Sequence, residues 1–197
     1  DLLVAIRVAR PFAAEHLEHL RRELAGLHER PEHRLLEGVE RPVAAVHLLK
    51  ELERQQTSVD TTCDILRVLG QIKSREWQAP LTKVAKSFAA HEHSRLREQA
   101  IHTLCQIGGP EGEQIYLSSL NDPDIEVRKR AVWCLGMVKS AQGLGKMVEM
   151  LKELSATPSP QSDKLETHIY LAFGLSGNIA IEGRTSEQIL IEVLEKR

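Results

Sequence analysis

At 197 residues, 42% apolar and 27% charged, the chain is long enough to enclose a continuous core and too apolar to remain disordered. A net charge of -2, from 26 basic and 28 acidic side chains, argues against a general polyanion binder, so nucleic acid is not the expected partner. No run of about 18 apolar residues is present to span a membrane, and Cys63, Cys105 and Cys134 are odd in number without CxxC spacing, which predicts reduced thiols in a cytoplasmic protein rather than a disulfide framework or zinc knuckle.

Aromatic residues make up only 4%, and helix-forming Leu, Glu, Ala, Arg and Lys dominate, so an all-α protein is expected. Near the start, Leu17, Leu20, Leu24 and Leu27 give Pro11 to Leu27 one apolar helical face, which Pro31 then breaks. Residues 1–42 therefore read as a helical lead-in that covers the first unit of a repeating region. From 43 to 197 the chain repeats itself. Leu69-Gly70-Gln71-Ile72-Lys73-Ser74, Leu104-Cys105-Gln106-Ile107-Gly108-Gly109 and Leu135-Gly136-Met137-Val138-Lys139-Ser140 close three successive segments, and Phe173-Gly174-Leu175-Ser176 is a degenerate fourth. From Leu69 to Leu104, Leu135 and Phe173 the steps are 35, 31 and 38 residues, a period that predicts stacked supersecondary units.

The third copy shows the unit. Asp122 reads as the N-cap of a helix with Pro123 at its first position, and Val127, Ala131, Leu135 and Val138 fall on one stripe at a period of 3.6. Gly143 marks a turn, after which Leu144, Val148 and Leu151 outline a shorter helix. Between the third and fourth copies, Ser155 to Ser162 reads as an exposed loop that accounts for the longest step.

The wording from Asp122 through Gly136, Asp-Pro-Asp-x-x-Val-Arg-x-x-Ala-x-x-x-Leu-Gly, resembles the HEAT repeat family, in particular the short bacterial variety also found in phycobilisome lyases. The resemblance implies an α-α superhelix of stacked antiparallel helix pairs, about four and a half units over residues 43–197. It places outer helices near Val43, Trp77, Glu113, Leu144 and Ser186, and inner helices near Thr61, Arg95, Ile125 and Lys164. It also puts Arg97 and Arg128 at the position that ladders one repeat to the next. The last outer helix, with Ile189, Leu190, Val193 and Leu194, lacks a partner, so the protein is expected to continue past Arg197.

A turn of about 100° per residue from Ala131 puts Lys129, Trp133, Gly136 and Ser140 opposite the buried stripe, with Glu126 and Met137 beside them. Their equivalents form columns across the copies: Arg67, His102, Trp133 and Leu171; Gln71, Gln106, Met137 and Leu175; and, at the margin, Asp64, Gln99, Arg130 and His168. The candidate partner-binding set is Trp133, Lys129, Arg130, Met137, His102, Gln106, Arg67 and Leu171. An exposed Trp anchors interfaces and Met adapts to irregular partners, although Trp133 has an alternative in packing on the next inner helix.

Little in the sequence spells catalysis. His91-Glu92-His93 is the most metal-like triplet, but it falls in a turn with no second cluster, and solvated loop is the preferred reading. Deoxyhypusine hydroxylases, also HEAT proteins, carry His-Glu pairs where this chain has Glu98-Gln99 and Lys129-Arg130. Cys63 and Cys105 point toward the groove on the helical wheel, but no adjacent His and acidic residue makes either a nucleophile, so both are read as small apolar filler. No nucleotide loop is present. The expected function is a non-catalytic scaffold that binds a protein or peptide without metal or cofactor. Alternatives are a bilin-lyase-like HEAT enzyme and, from Arg128, Lys129 and Arg130, a HEAT-type nucleic-acid binder.

Overall fold

The computed structural model describes residues 41–53, 57–72, 75–156, 159–177, 179–181 and 183–195. The helix predicted over Pro11 to Leu27 lies outside them. The chain divides into two compact units, Asp1–His47 and Leu48–Arg197, and helix α1, Arg41–Glu53, crosses the junction. The second unit continues with α2 Val59–Gly70, α3 Arg75–Ala89, α4 Ser94–Ile107, α5 Glu111–Ser119, α6 Ile125–Met137, α7 Ala141–Ala156, α8 Pro160–Ser176 and α9 Ser186–Glu195. Each helix start anticipated from the repeat falls within a few residues of an observed one. One feature has no counterpart among the predicted elements, a small antiparallel ribbon of β1 Ala180–Ile181 and β2 Arg184–Thr185, which turns through Gly183 at φ 79°.

The unit Leu48–Arg197 is an α-α solenoid. Helices α3 and α4 pair, then α5 and α6, then α7 and α8, while α2, α4, α6 and α8 stack on one another as a continuous inner layer. The core runs through this stack. Ile101, Leu104, Val127, Ala131, Leu135, Leu144, Met147, Leu165, Ile169 and Phe173 are buried together. Small groups let the inner helices approach: the Thr103 hydroxyl donates to the Leu66 carbonyl at 2.9 Å, and one copy later the Cys134 thiol donates to the Ile101 carbonyl at 3.8 Å.

Local chemistry sets the helix ends. The cap of α6 is Asp124, two residues beyond the predicted one; its carboxylate accepts from the Glu126 N–H at 2.8 Å. Asp122 instead accepts from the Asp124 N–H at 2.9 Å, so its other acceptor sites remain open to a neighbouring repeat. Helix α8 starts with Pro160 behind a reciprocal Ser159–Ser162 capping box. That cap corrects the expected Ser155–Ser162 loop: Ser155 and Ala156 finish α7 and residues 160–162 begin α8. Val138, assigned to the buried stripe, is 40% exposed, because α6 ends at Met137 and the chain turns through Lys139 at φ 56°.

Candidate docking face on the inner helices

At the middle of the inner layer, His102 of α4 meets Trp133 of α6 edge to face, with ring centroids 5.7 Å apart and planes at 71°. The Arg130 guanidinium lies over the same indole, 5.8 Å from its centroid, and both its Nε and a terminal nitrogen donate to Glu98 Oε1, at 3.0 and 2.7 Å. One repeat contributes Arg130 and Trp133, the preceding one Glu98 and His102. Trp133 is thus half-buried, packed against the core on one side and held in a fixed orientation by a cation and an imidazole on the other. The packing role considered for Trp133 is on the next inner helix, whereas the ring contact seen is with His102 of the preceding one.

The other candidates distribute unevenly. Met137, 47% exposed, and Leu175, 43% exposed, are the open apolar groups of their column. Leu171 is half-buried, as is Gln106, whose side chain lies across Gly70 of the preceding repeat. Arg67 pairs with Asp64 at 2.6 Å and Lys129 with Glu126 at 2.7 Å, each within its own helix. Gly136 and Ser140, placed in the groove by the helical wheel, are buried instead. Gly136 is pressed against α8, and the Ser140 hydroxyl accepts from the Gly143 N–H at 2.8 Å and donates to Glu113 at 2.5 Å. A single-helix wheel does not see the next helix arriving on that side. Glu98, absent from the candidate set, belongs to the site; the signal in the sequence is an acid 32 residues before Arg130, one repeat away.

Burial, with the nearby charges of Arg130 and Arg67, lowers the His102 pKa from 6.5 to about 4. The unfolded chain therefore binds the proton more readily than the folded one. The neutral ring contributes fully above about pH 6.5, and stability falls as pH drops from there toward about 4. Between about pH 7 and about pH 5 the expected loss is up to about 2 kcal/mol, measurable by urea denaturation in the two buffers, and His102→Gln should remove most of it. An unfolding midpoint that does not move for the unsubstituted protein would contradict a buried neutral imidazole here.

His91 and His93 act on the backbone. The His91 Nδ1 accepts from the His93 N–H at 3.0 Å, and His93 caps α4 by accepting from the Arg95 N–H at 3.3 Å. Cys63 is buried and donates to the Arg95 carbonyl at 3.8 Å, so it does not face a groove. Among the described residues no group of three or more His, Cys, Asp or Glu is arranged to hold a metal ion, and no helix is long and apolar enough to cross a membrane.

Among the described residues, the ladder expected at Arg97 and Arg128 is seen at Arg97. Arg97 Nε and a terminal nitrogen donate to the two Asp122 oxygens, both at 2.8 Å, and its third nitrogen donates to the carbonyls of His91 and Glu92 at 3.0 and 2.7 Å. Arg128 Nε is buried without a hydrogen-bond partner among the described residues. Counted from the helix cap, the position of Asp122 is taken in the next copy by Thr157, so the sequence supplies no carboxylate there.

With this geometry in view, the family model for HEAT repeats matches residues 87–162, from the last turn of α3 into the first turn of α8. The crystal structure of an engineered protein, a structural-genomics target, is similar at 16% identity with a TM-score of 0.48, covering 76% of this chain and 67% of its own. No curated protein sequence matches the chain.

Proposed function

We propose that this protein is a cytoplasmic, non-catalytic scaffold that docks a partner protein or peptide on the open face of its inner helices, with Trp133 as the anchor. The observation that carries this reading is the Trp133 ring, fixed by His102 and Arg130 and joined in the neighbouring column by exposed Met137 and Leu175. An aromatic side chain already held in place loses little entropy on binding, and such residues supply most of the energy in protein interfaces. HEAT repeats commonly mediate protein interactions, which agrees with this use of the face.

Charge favours a protein over a phosphate backbone. Arg95 pairs with Asp60, Arg97 with Asp122, Lys129 with Glu126 and Arg130 with Glu98. Neutralised in place, these cations have little attraction left for a polyanion. The test is affinity capture from a lysate with immobilised protein, the unaltered chain against Trp133→Ala. A discrete protein retained by the first should be reduced at least about tenfold with the second, an anchor loss of 2 kcal/mol or so, while helicity by circular dichroism stays the same. Equal retention by both would remove Trp133 from the interface.

A further inference from the structure

The repeat wording places a glycine directly after the recurring Leu or Phe in three copies, Gly70, Gly136 and Gly174, and a cysteine, Cys105, in the other. In the third copy that glycine is where one inner helix presses on the next. A Cβ at Gly136 would stand 2.9 Å from the Cβ of Ala172. Moved back one repeat, Gly136 corresponds to Cys105 by the 31-residue step, and Ala172 corresponds to Cys134 by the 38-residue step. That equivalence makes Cys105 and Cys134 neighbours across the packed inner helices α4 and α6.

The contacts of the two thiols agree with this equivalence. Cys134 Sγ lies 3.8 Å from the Ile101 carbonyl, one helical turn before Cys105 on the same helix. The two thiols act on each other's charge, and Cys105 is packed against the buried cluster that holds Cys134 and Tyr116. Cys134 is fully buried, whereas Cys105 is partly exposed. Cys63, the remaining thiol, is buried against Arg95 of α4. A disulfide needs β-carbons roughly 3.5–4.5 Å apart, so closure of the pair rests on α4 and α6 staying as near here as the contact of Cys134 Sγ with the Ile101 carbonyl holds them.

We propose that Cys105 and Cys134 are a redox-modification site that closes to an intrachain disulfide, bonding the inner helices of two adjacent repeats beneath the His102–Trp133 pair. The oxidant is a low-molecular-weight disulfide, RSSR. The Cys105 thiolate attacks one of its sulfurs, forming a mixed disulfide and releasing the first RS⁻. Cys134 then loses its proton and attacks Cys105 Sγ, expelling the second RS⁻. The two thiol protons end on the departing thiolates, so two cysteines are oxidised by two electrons while one RSSR becomes two RSH. Burial pushes the Cys134 thiol well above its ordinary pKa, so the exposed partner starts the exchange and the second step waits on local opening.

The thiol pair depends on the fold alone and is tested without any docking partner. The folded protein is incubated with oxidised glutathione, quenched by alkylation in denaturant and digested with trypsin. Cleavage at Arg97, Arg128, Arg130 and Lys139 leaves Cys105 and Cys134 on separate peptides, and Arg67 ends the peptide holding Cys63. The expected result is a Glu98–Arg128 peptide joined to Ala131–Lys139, reversed by dithiothreitol, with Cys63 alkylated throughout. In Cys134→Ser the glutathione adduct should persist on Cys105. A stable adduct on Cys105 in the unaltered chain, or a bridge that forms only in denaturant, would overturn the proposal.

Discussion

Arg97→Ala should cost this protein about 3 kcal/mol of stability, because removing one member of an enclosed ion pair leaves the other desolvated. The side chains are only 14% and 11% exposed at Arg97 and Asp122, and the guanidinium makes four hydrogen bonds, two to the carboxylate and two to carbonyls at the start of its own helix. It joins the starts of α4 and α6, and so the second and third repeats. Desolvation alone would raise the Asp122 carboxyl, but the hydrogen bonds from Arg97 and from the Asp124 N–H hold it below the ordinary aspartate value. A depressed aspartate contributes above its unfolded pKa and loses that contribution as pH falls through the folded value, so this pair fails at lower pH than His102 does.

Urea unfolding of Arg97→Ala, Asp122→Ala and a paired Arg97→Met, Asp122→Leu variant separates the causes. Each single substitution should lower stability more than the pair of apolar replacements, since an apolar pair leaves no charge buried alone. Single variants within about 0.5 kcal/mol of the unaltered protein would show that the ladder is ornamental, as surface ion pairs often are. Arg128 supplies the comparison within the same chain. With no carboxylate to lose, Arg128→Ala should shift stability far less than Arg97→Ala.

Gly136→Val should be as damaging as loss of the ladder, about 3 kcal/mol or more, for a steric reason. The added Cβ would meet the Ala172 Cα at 2.8 Å and the Ala172 carbonyl oxygen at 2.9 Å. Backbone cannot swing aside as a flexible side chain can, so α6 and α8 must separate and the packing of Leu135, Ile169 and Phe173 with them. Gly174, one repeat later in the same wording, has no atom within 4 Å of its Cβ position. Gly174→Ala should therefore stabilise by up to about 1 kcal/mol through helix propensity. Thermal unfolding of both variants checks the pair; similar behaviour of the two glycines would mean that the contact at Ala172 is not a tight one.

These paired cases show how far the linear pattern reaches. Helix starts near Ile125 and Leu144 are legible because caps, turns and apolar spacing are short-range properties, and the resemblance to HEAT repeats carries the same alternation to starts near Trp77, Arg95, Glu113 and Ser186. Ser155 to Ser162 misleads for the same reason: a Ser-Pro-rich stretch signals a loop and a helix start alike, and the Ser159–Ser162 capping box chooses between them. The columns of residues facing one way are legible as well. Their openness is not.

For the amino-acid sequence by itself, then, the determined part is the solenoid, the order of its helices and the membership of its columns, all consequences of local periodicity repeated at near-constant length. Tertiary structure alone decided that Gly136 and Ser140 are sealed while Met137 and Leu175 stay open, that Glu98 joins Arg130 beside Trp133, and that Arg97 is bridged to Asp122 while Arg128 Nε has no hydrogen-bond partner among the described residues. The physical reason is that exposure belongs to the space between helices. That space is set by the size of side chains about one repeat away, which no single turn of helix contains.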